Sequence, residues 1–312
     1  MKHLLTLRET NEADIRYLLD TAEAFKEILA RPVKKVPTLR GRAMITLFYE
    51  NSTRTRTSFE MAAKIMSAEA INIAVAQSSV AKGESLKDTL LTLQALKADC
   101  IVMRHHASGA PQFAAEHLHI PVINAGDGRH EHPTQGLLDM LTIRRHKREL
   151  AGLTVAIVGD ITHSRVARSN IWGLTKMGAN VRLVGPRTLL PPDADKLPVQ
   201  VYDDLRAGLE GADVVNVLRL QTERQDRGLL PSLREYSRLF GVNVHSLKAA
   251  KPDVLVLHPG PMNRGVEISA DVADGAYGVR CAIEEQVTNG VAVRMAVLYT
   301  LMGTQGTTGQ ES

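Results

Sequence analysis

Ala43-Met44-Ile45-Thr46-Leu47-Phe48 runs directly into Tyr49-Glu50-Asn51-Ser52-Thr53-Arg54-Thr55-Arg56-Thr57-Ser58-Phe59. The first six residues predict a strand. Phe59, Ala62, Ala63 and Met66 predict one face of the helix that follows. The hydroxyls and guanidiniums of residues 52–57 then stand at a helix start. Unpaired backbone N–H groups and the positive end of the helix dipole meet there, and together they favour an oxyanion, phosphate most often.

The same alternation extends in both directions. Ile15, Leu18, Leu19, Ala22, Phe25, Ile28 and Leu29 predict a helix over 11–29 that stops before Arg31-Pro32. Apolar runs at 70–76, 100–103 and 122–124 predict strands, interleaved with helical patterns near 53–67, 86–97 and 111–118. A longer helix is expected over 133–148, with Leu137, Leu138 and Leu141 on successive turns. A second series follows: strands at 154–158, 181–184, 214–218 and 254–257, with helices near 166–177 and 233–239. The Pro- and Leu-rich stretch 186–198 reads as a surface loop. Val287, Val291, Met295, Leu298 and Met302 predict a closing helix over 286–302, and residues 303–312 read as a frayed tail.

Strands alternating with helices indicate parallel sheets, and 312 residues suit two domains of about 150 each. The expected fold class is therefore α/β, with two doubly wound parallel-sheet domains and the active site in the cleft between them. The first domain is expected over 1–148, with 286–312 packing back on it, and the second over 149–285.

Composition narrows the function classes. The chain is 44% hydrophobic and 23% charged, the balance of a soluble globular protein. The N-terminus lacks the apolar run of a signal peptide, and no run of about 18 apolar residues occurs. A cytoplasmic protein with no membrane partner is expected. A net charge of +4 with scattered basic residues and only 4% aromatics argues against a nucleic-acid partner, because stacking residues are not interleaved with a basic block. Cys100 and Cys281 are isolated and read as buried small hydrophobes. The histidines between 105 and 132 show no ligand spacing with a carboxylate, so no metal and no cofactor are expected.

In open parallel sheets, ligands bind beyond the carboxyl ends of the strands. Six polar clusters fall at such positions: Ser52 to Thr55; Arg104-His105-His106; His132-Pro133-Thr134-Gln135; Arg165, after the strand ending at Gly159-Asp160; Arg219 with Gln221; and His258-Pro259-Gly260-Pro261. The turn at Gly159 superficially suggests a dinucleotide site. Asp160, Ile161, Thr162 and His163 replace the second glycine of the pyrophosphate fingerprint, which leaves a nicotinamide-dependent enzyme as the weaker alternative.

Five motifs then occur in order across both halves: STRTRTSFE at 52–60, KGES at 82–85, VMRH at 102–105, HPTQ at 132–135 and HPGPMNRG at 258–265. In these the chain resembles the aspartate carbamoyltransferase family, catalytic chain, within the aspartate/ornithine carbamoyltransferase superfamily. The ornithine branch shares the phosphate motif but typically has HPCQ, a Ser-Met-Gly motif and a Cys after the later His. This chain has Thr134, no Ser-Met-Gly, and Pro259 after His258, and it carries Arg219-Leu220-Gln221.

The resemblance implies transfer of the carbamoyl group of carbamoyl phosphate to L-aspartate, an early step of pyrimidine synthesis. It assigns Ser52, Thr53, Arg54, Thr55 and Arg104 to the phosphate, and Thr55, Arg104 and His132 to the carbamoyl oxygen. Gln135 and the backbone of Gly260 and Pro261 are assigned to the carbamoyl NH2. Arg165, Arg219 and Gln221 are assigned to the carboxylates of aspartate, with Lys82 bridging both substrates. Lys82 and Ser78 are implied to reach a neighbouring subunit's site, hence a homotrimer with shared sites. Assembly with a regulatory or dihydroorotase-like chain also follows from the resemblance. The proton of the attacking amine is left to either the departing phosphate or His132. Gly260 departs from the Leu that many members carry.

Overall fold

The computed structural model describes residues 1–74, 83–221, 229 and 232–303. The chain divides into two compact units, Met1–Leu138 with Val287–Ser312, and Asp139–Gln286. The first crossing falls at 138/139, inside a helix.

The first unit opens with α1 (Glu12–Leu29). Asn11 caps it by accepting from the Asp14 N–H, and Ile15, Leu18, Leu19, Ala22 and Phe25 form its buried stripe. Its sheet contains β1 (Ala43–Phe48), β2 (Glu69–Ala74), β3 (Cys100–His105) and β4 (Val122–Asp127), all parallel, in the order β2-β1-β3-β4. The helices between them are α2 (Thr53–Ile65), α3 (Leu86–Ala95) and α4 (Ala110–His117). Ile45 and Leu47 of β1, Ile101 and Met103 of β3, and Val122 of β4 share a core with Leu90 and Leu93 of α3 and Ala114 of α4. Met44, Thr46 and Val102, which alternate with these, are buried too. A sheet covered on both faces explains why these strands read as continuous apolar runs.

Two registers matter for function. Phe48 pairs with Arg104, so β1 and β3 end side by side. β1, first in the chain, lies between β2 and β3, so the connections leave it in opposite directions. The β1/β3 edge is therefore the topological switch point, the usual place for a ligand.

The second unit repeats the device with six parallel strands: β5 (Thr154–Val158), β6 (Asn180–Val184), β7 (Gln200–Tyr202), β8 (Val214–Val217), β9 (Leu255–Leu257) and β10 (Arg280–Cys281). Their order is β10-β9-β8-β5-β6-β7, so the switch point lies between β5 and β8. Val158 pairs with Val217, and Asn216 with Leu257, which brings the ends of β5, β8 and β9 to one edge. Its helices are α6 (Arg165–Lys176), α7 (Leu205–Leu209), α8 (Leu233–Phe240) and α9 (Ala270–Ala273). Leu205, Leu209, Tyr236 and Phe240 pack with Val158, Val217 and Val256.

The helices at the two chain crossings are α5 (Pro133–Lys147) and α10 (Ile283–Leu298). Residues 133–143 and 292–298 are buried without interruption, the pattern of an interior helix rather than an amphipathic one. Val287, expected on the packing face of the closing helix, is 55% exposed. α10 begins at Ile283 and ends in a π turn, Tyr299–Gly303.

Three other expectations need correction. The stretch 186–198 forms two 3-10 turns that bury Leu189, Leu190 and Ala194, because an apolar loop beside a sheet has core to cover. Cys281 is only half-buried, at the edge strand β10, whereas Cys100 is fully buried. The strand expected at 70–76 is β2, Glu69–Ala74, and residues 75–82 lie outside the described residues. No described helix is long and apolar enough to cross a membrane.

Candidate active site

α2 starts directly at the switch point of the first sheet, and Ser52 occupies its N-cap position. Ser52 makes no side-chain cap bond. The start of α6 differs: Ser164 accepts from the Ala167 N–H there, and Asn11, Ser85, Asp204, Ser232 and Ser269 likewise cap their own helices. At α2 the first-turn N–H groups and the Ser52 hydroxyl therefore remain available to a ligand. Thr53 and Arg54 are exposed, whereas Thr55 is buried. The helical turn directs Thr55 inward, with its Oγ1 3.4 Å from Nε2 of His132.

His132 directly precedes α5, with Pro133 at the first helical position, where a missing N–H costs nothing. Its carbonyl accepts from the Gln135 N–H at 2.9 Å. Thr134 and Gln135 are buried beside it. Arg104, one strand over at the end of β3, is half-buried. Its Nε lies 3.2 Å from Oε2 of Glu50, so one side of the guanidinium is anchored.

The turn that delivers His132 is built on two buried carboxylates. Asp127 accepts from Asn124 Nδ2 (2.8 Å), the Gly109 N–H (2.7 Å) and the Glu131 N–H (3.1 Å), and its Oδ2 lies 3.0 Å from His130 Nδ1. Burial alone would raise its pKa. The bonds from His130, Gly109 and Asn124 outweigh that and hold the carboxyl below its ordinary value. Glu131 accepts from the Leu7 and Arg8 N–H groups at 2.7 and 3.2 Å, tying the N-terminal segment to the same turn. His105 is also buried and stacks on His106 with ring centroids 4.2 Å apart. Burial and the neighbouring His106 lower its pKa.

In the second unit, the loop after β5 is closed by Asp160. This fully buried residue accepts from the His163 N–H at 3.2 Å and lies 2.7 Å from its Nδ1. Gly159 has φ 131°, and a Cβ there would stand 3.1 Å from the Leu218 carbonyl oxygen. Glycine is thus required by the close approach of two strand ends rather than by a pyrophosphate. Arg165 is the first residue of α6 and is buried. After β8, Leu218 and Leu220 are buried while Arg219 and Gln221 are half-exposed, so the two polar side chains alternate with the core-facing leucines. Beyond β9, Gly260 adopts φ 63°, in the left-handed region that favours glycine, and the Gly260–Pro261 peptide is cis.

The structure thus places Ser52, Thr53, Arg54, Thr55, Arg104, His132 and Gln135 on the first unit. It brings Thr55 to His132, and Arg104 to the end of β1. Arg165, Arg219, Gln221, Gly260 and Pro261 belong to the second unit, at the ends of β5, β8 and β9. Ser78 and Lys82 lie outside the described residues. Sequence reasoning missed Glu50, Asp127, Glu131 and Asp160. Glu50 sits in the quoted stretch, but its partner is 54 residues away. No group of three or more His, Cys, Asp or Glu among the described residues could hold a metal ion.

Residues 2–145 match the carbamoyl-phosphate-binding domain of the aspartate/ornithine carbamoyltransferases, and residues 151–301 match their aspartate/ornithine-binding domain. The chain belongs to the aspartate/ornithine carbamoyltransferase family. Within it, the aspartate carbamoyltransferase catalytic subunit of Heliobacterium modesticaldum is 63% identical over 305 residues, 98% of this chain and 97% of that one. The aspartate transcarbamoylase of Trypanosoma cruzi, solved with carbamoyl phosphate and aspartate, superposes with a TM-score of 0.86 at 31% identity, covering 96% of this chain and 97% of that one. The ornithine carbamoyltransferase of Pyrococcus furiosus gives the same TM-score of 0.86 at 27% identity, covering 97% of each chain. Backbone shape therefore does not separate the two branches, whereas the high-identity relative lies on the aspartate side.

Proposed function

We propose that this chain catalyses transfer of the carbamoyl group of carbamoyl phosphate to the amine of L-aspartate, giving N-carbamoyl-L-aspartate and phosphate, an early step of pyrimidine synthesis. The observation that carries the reading is the uncapped start of α2 at a sheet switch point, with Thr55 3.4 Å from His132.

On this reading Ser52, Thr53, Arg54 and Thr55 take the phosphate with backbone and side-chain donors, and Arg104 adds a guanidinium oriented by Glu50. Thr55, His132 and Arg104 donate to the carbamoyl oxygen. That oxygen gains negative charge as the amine adds, so these donors bind the transition state more tightly than the ground state. Gln135 and the backbone around Gly260 and Pro261 take the carbamoyl NH2. Arg165 and Arg219 pair with the two carboxylates of aspartate, with Gln221 beside them; guanidinium forks suit carboxylates and repel the cationic side chain of ornithine. The amine adds to the carbamoyl carbon to form the N–C bond, collapse of the adduct breaks the C–O bond to phosphate, and the phosphate, leaving with one more negative charge than it carried in the ester, takes the amine proton and is released as the dianion. His132 stays a donor.

Lys82 and Ser78 serve a neighbouring subunit, so the working form is a homotrimer in the cytoplasm, assembled around the unit that carries α2. The deciding experiment follows phosphate release from carbamoyl phosphate with L-aspartate or L-ornithine. Turnover with L-aspartate alone is expected. Turnover with L-ornithine would overturn the assignment of Arg165, Arg219 and Gln221.

A further inference from the structure

The loop 258–263 is held from below by side chains that the reaction itself does not call on. The His258 N–H donates to Gln286 Oε1 at 2.9 Å, the Gly260 N–H to His258 Nδ1 at 2.8 Å, and the Asn263 N–H to Glu267 Oε1 at 2.6 Å. All three acceptor side chains are buried, at 3%, 2% and 0% exposure for Gln286, His258 and Glu267. Because His258 Nδ1 accepts, its ring proton is on Nε2, which lies 3.3 Å from Glu267 Oε1 and donates to it.

Gln286 is anchored in turn. Its Nε2 donates to Oδ1 of Asp139 at 2.7 Å, and Asp139 Oδ2 also accepts from Asn170 and Asn216 at 2.7 and 3.2 Å. Asp139, Asn170 and Asn216 are fully buried. A chain of hydrogen bonds therefore runs from α5 through α10 to the loop, anchored by α6 and β8.

We propose that Gln286 and His258 are positioning residues that set the backbone of residues 257–263 so that it reads the NH2 of the carbamoyl group. In a planar trans peptide the C=O points opposite the N–H. Drawing the N–H groups of Gly260 and Asn263 onto buried acceptors turns the carbonyls of Pro259 and Met262 the other way, while the His258 bond to Gln286 fixes where the loop leaves β9. A row of carbonyl acceptors matches an NH2, which has two protons to donate, and offers nothing to a methyl group. This rests on the carbamoyl-transfer reading and deepens it: the relay determines discrimination between carbamoyl phosphate and acetyl phosphate, in which CH3 replaces NH2.

The test measures affinity for carbamoyl phosphate, acetyl phosphate and inorganic phosphate in the full-length enzyme, the last two as competitive inhibitors. Gln286→Leu is expected to weaken carbamoyl phosphate at least tenfold while changing acetyl phosphate and inorganic phosphate less than threefold. His258→Asn keeps an acceptor at the Nδ1 position and is expected to retain discrimination that His258→Leu loses. The His258 pair decides the matter should Gln286→Leu fail to fold. Equal losses for all three ligands, or equal behaviour of His258→Asn and His258→Leu, overturn the proposal. Absence of L-aspartate turnover in the unsubstituted enzyme would instead overturn the functional reading itself.

Discussion

Replacing Thr55 by Val removes one hydroxyl and nothing else of comparable size. The side chain is 6% exposed, and its Oγ1 contact to His132 is 3.4 Å long, beyond the usual range for a strong hydrogen bond. Thr and Val have similar helix propensity and shape. Folding stability should therefore change by no more than about 1 kcal/mol, or about 1–2 °C in Tm for a chain of 312 residues. The catalytic cost is set differently. If the hydroxyl donates to the carbamoyl oxygen as it becomes an oxyanion, its loss costs about 10²–10³ in kcat. His132 and Arg104 share that charge, so the lower end applies: about 100-fold, or about 2.7 kcal/mol. The Thr55 backbone N–H survives the substitution, so the affinity for inorganic phosphate should fall less than threefold. The assay is phosphate release at saturating carbamoyl phosphate and L-aspartate, paired with a thermal melt. A kcat within threefold of the unsubstituted enzyme would refute the oxyanion role, and a loss of activity tracking a large drop in Tm would refute the claim that the hydroxyl is structurally dispensable.

Two further outcomes concern the scaffold beneath the site. Glu131→Ala strips the acceptor from the Leu7 and Arg8 N–H groups, and losing hydrogen bonds to a buried charge should cost about 3 kcal/mol; Glu131→Gln, which retains one carbonyl oxygen, should cost about 1 kcal/mol, both read from urea midpoints. The pH dependence should have two stages of one sign. His105 is held below its ordinary 6.5 by burial and by His106, so the unfolded chain binds more protons between the folded pKa and 6.5, and stability present above 6.5 is lost as pH falls through that window. Asp127 is held below its ordinary 3.8, so its contribution is present above 3.8 and is lost at still lower pH as the folded carboxyl protonates. Urea midpoints at pH 7.5 and 5 should fall for the unsubstituted enzyme and fall less for His105→Asn; an identical drop in both would exclude His105 as the source.

Local pattern made the strand–turn–helix at 43–66 readable, and with it the parallel sheets, because β1 and α2 each announce themselves within a dozen residues. The elements the sequence left unread include β7, α7, α9 and β10, of three, five, four and two residues. None is long enough to show a period. Among site residues, Ser52 to Thr55 and His132 are legible because each sits where a helix starts. The partners that orient them are not, since Glu50 meets Arg104 across 54 residues and Asp139 meets Gln286 across 147. A buried carboxylate and its donors obey no spacing rule along the chain. Only the strand order brings them together. Val287 misled for a different reason: it shares the helical spacing of Val291, Met295 and Leu298, but it lies in the first half of α10, where Glu284 and Thr288 are exposed too, and only residues 292–298 are buried without interruption.

The same switch-point device occurs once in each unit, yet the two starts of helices at those points are finished differently, and the difference fits the two anions proposed for them. At α2, Ser52 leaves the first-turn N–H groups uncapped, which suits a tetrahedral phosphate that can accept from several convergent backbone donors. At α6, Ser164 consumes its cap bond internally, and on the proposed reading Arg165 with Arg219 would supply the charge by side chain, which suits planar carboxylates. Backbone donors are common to any sequence that makes the turn, whereas side-chain donors change with a single substitution. The ornithine enzyme of Pyrococcus furiosus matches this fold with the same TM-score as the aspartate enzyme of Trypanosoma cruzi. Backbone shape does not choose the amine, and on the proposed reading that choice falls to the side chains at 165, 219 and 221. On the proposed reading, a change of amine substrate in this fold would leave residues 52–55 and 132 intact and replace the side chains that follow β5 and β8.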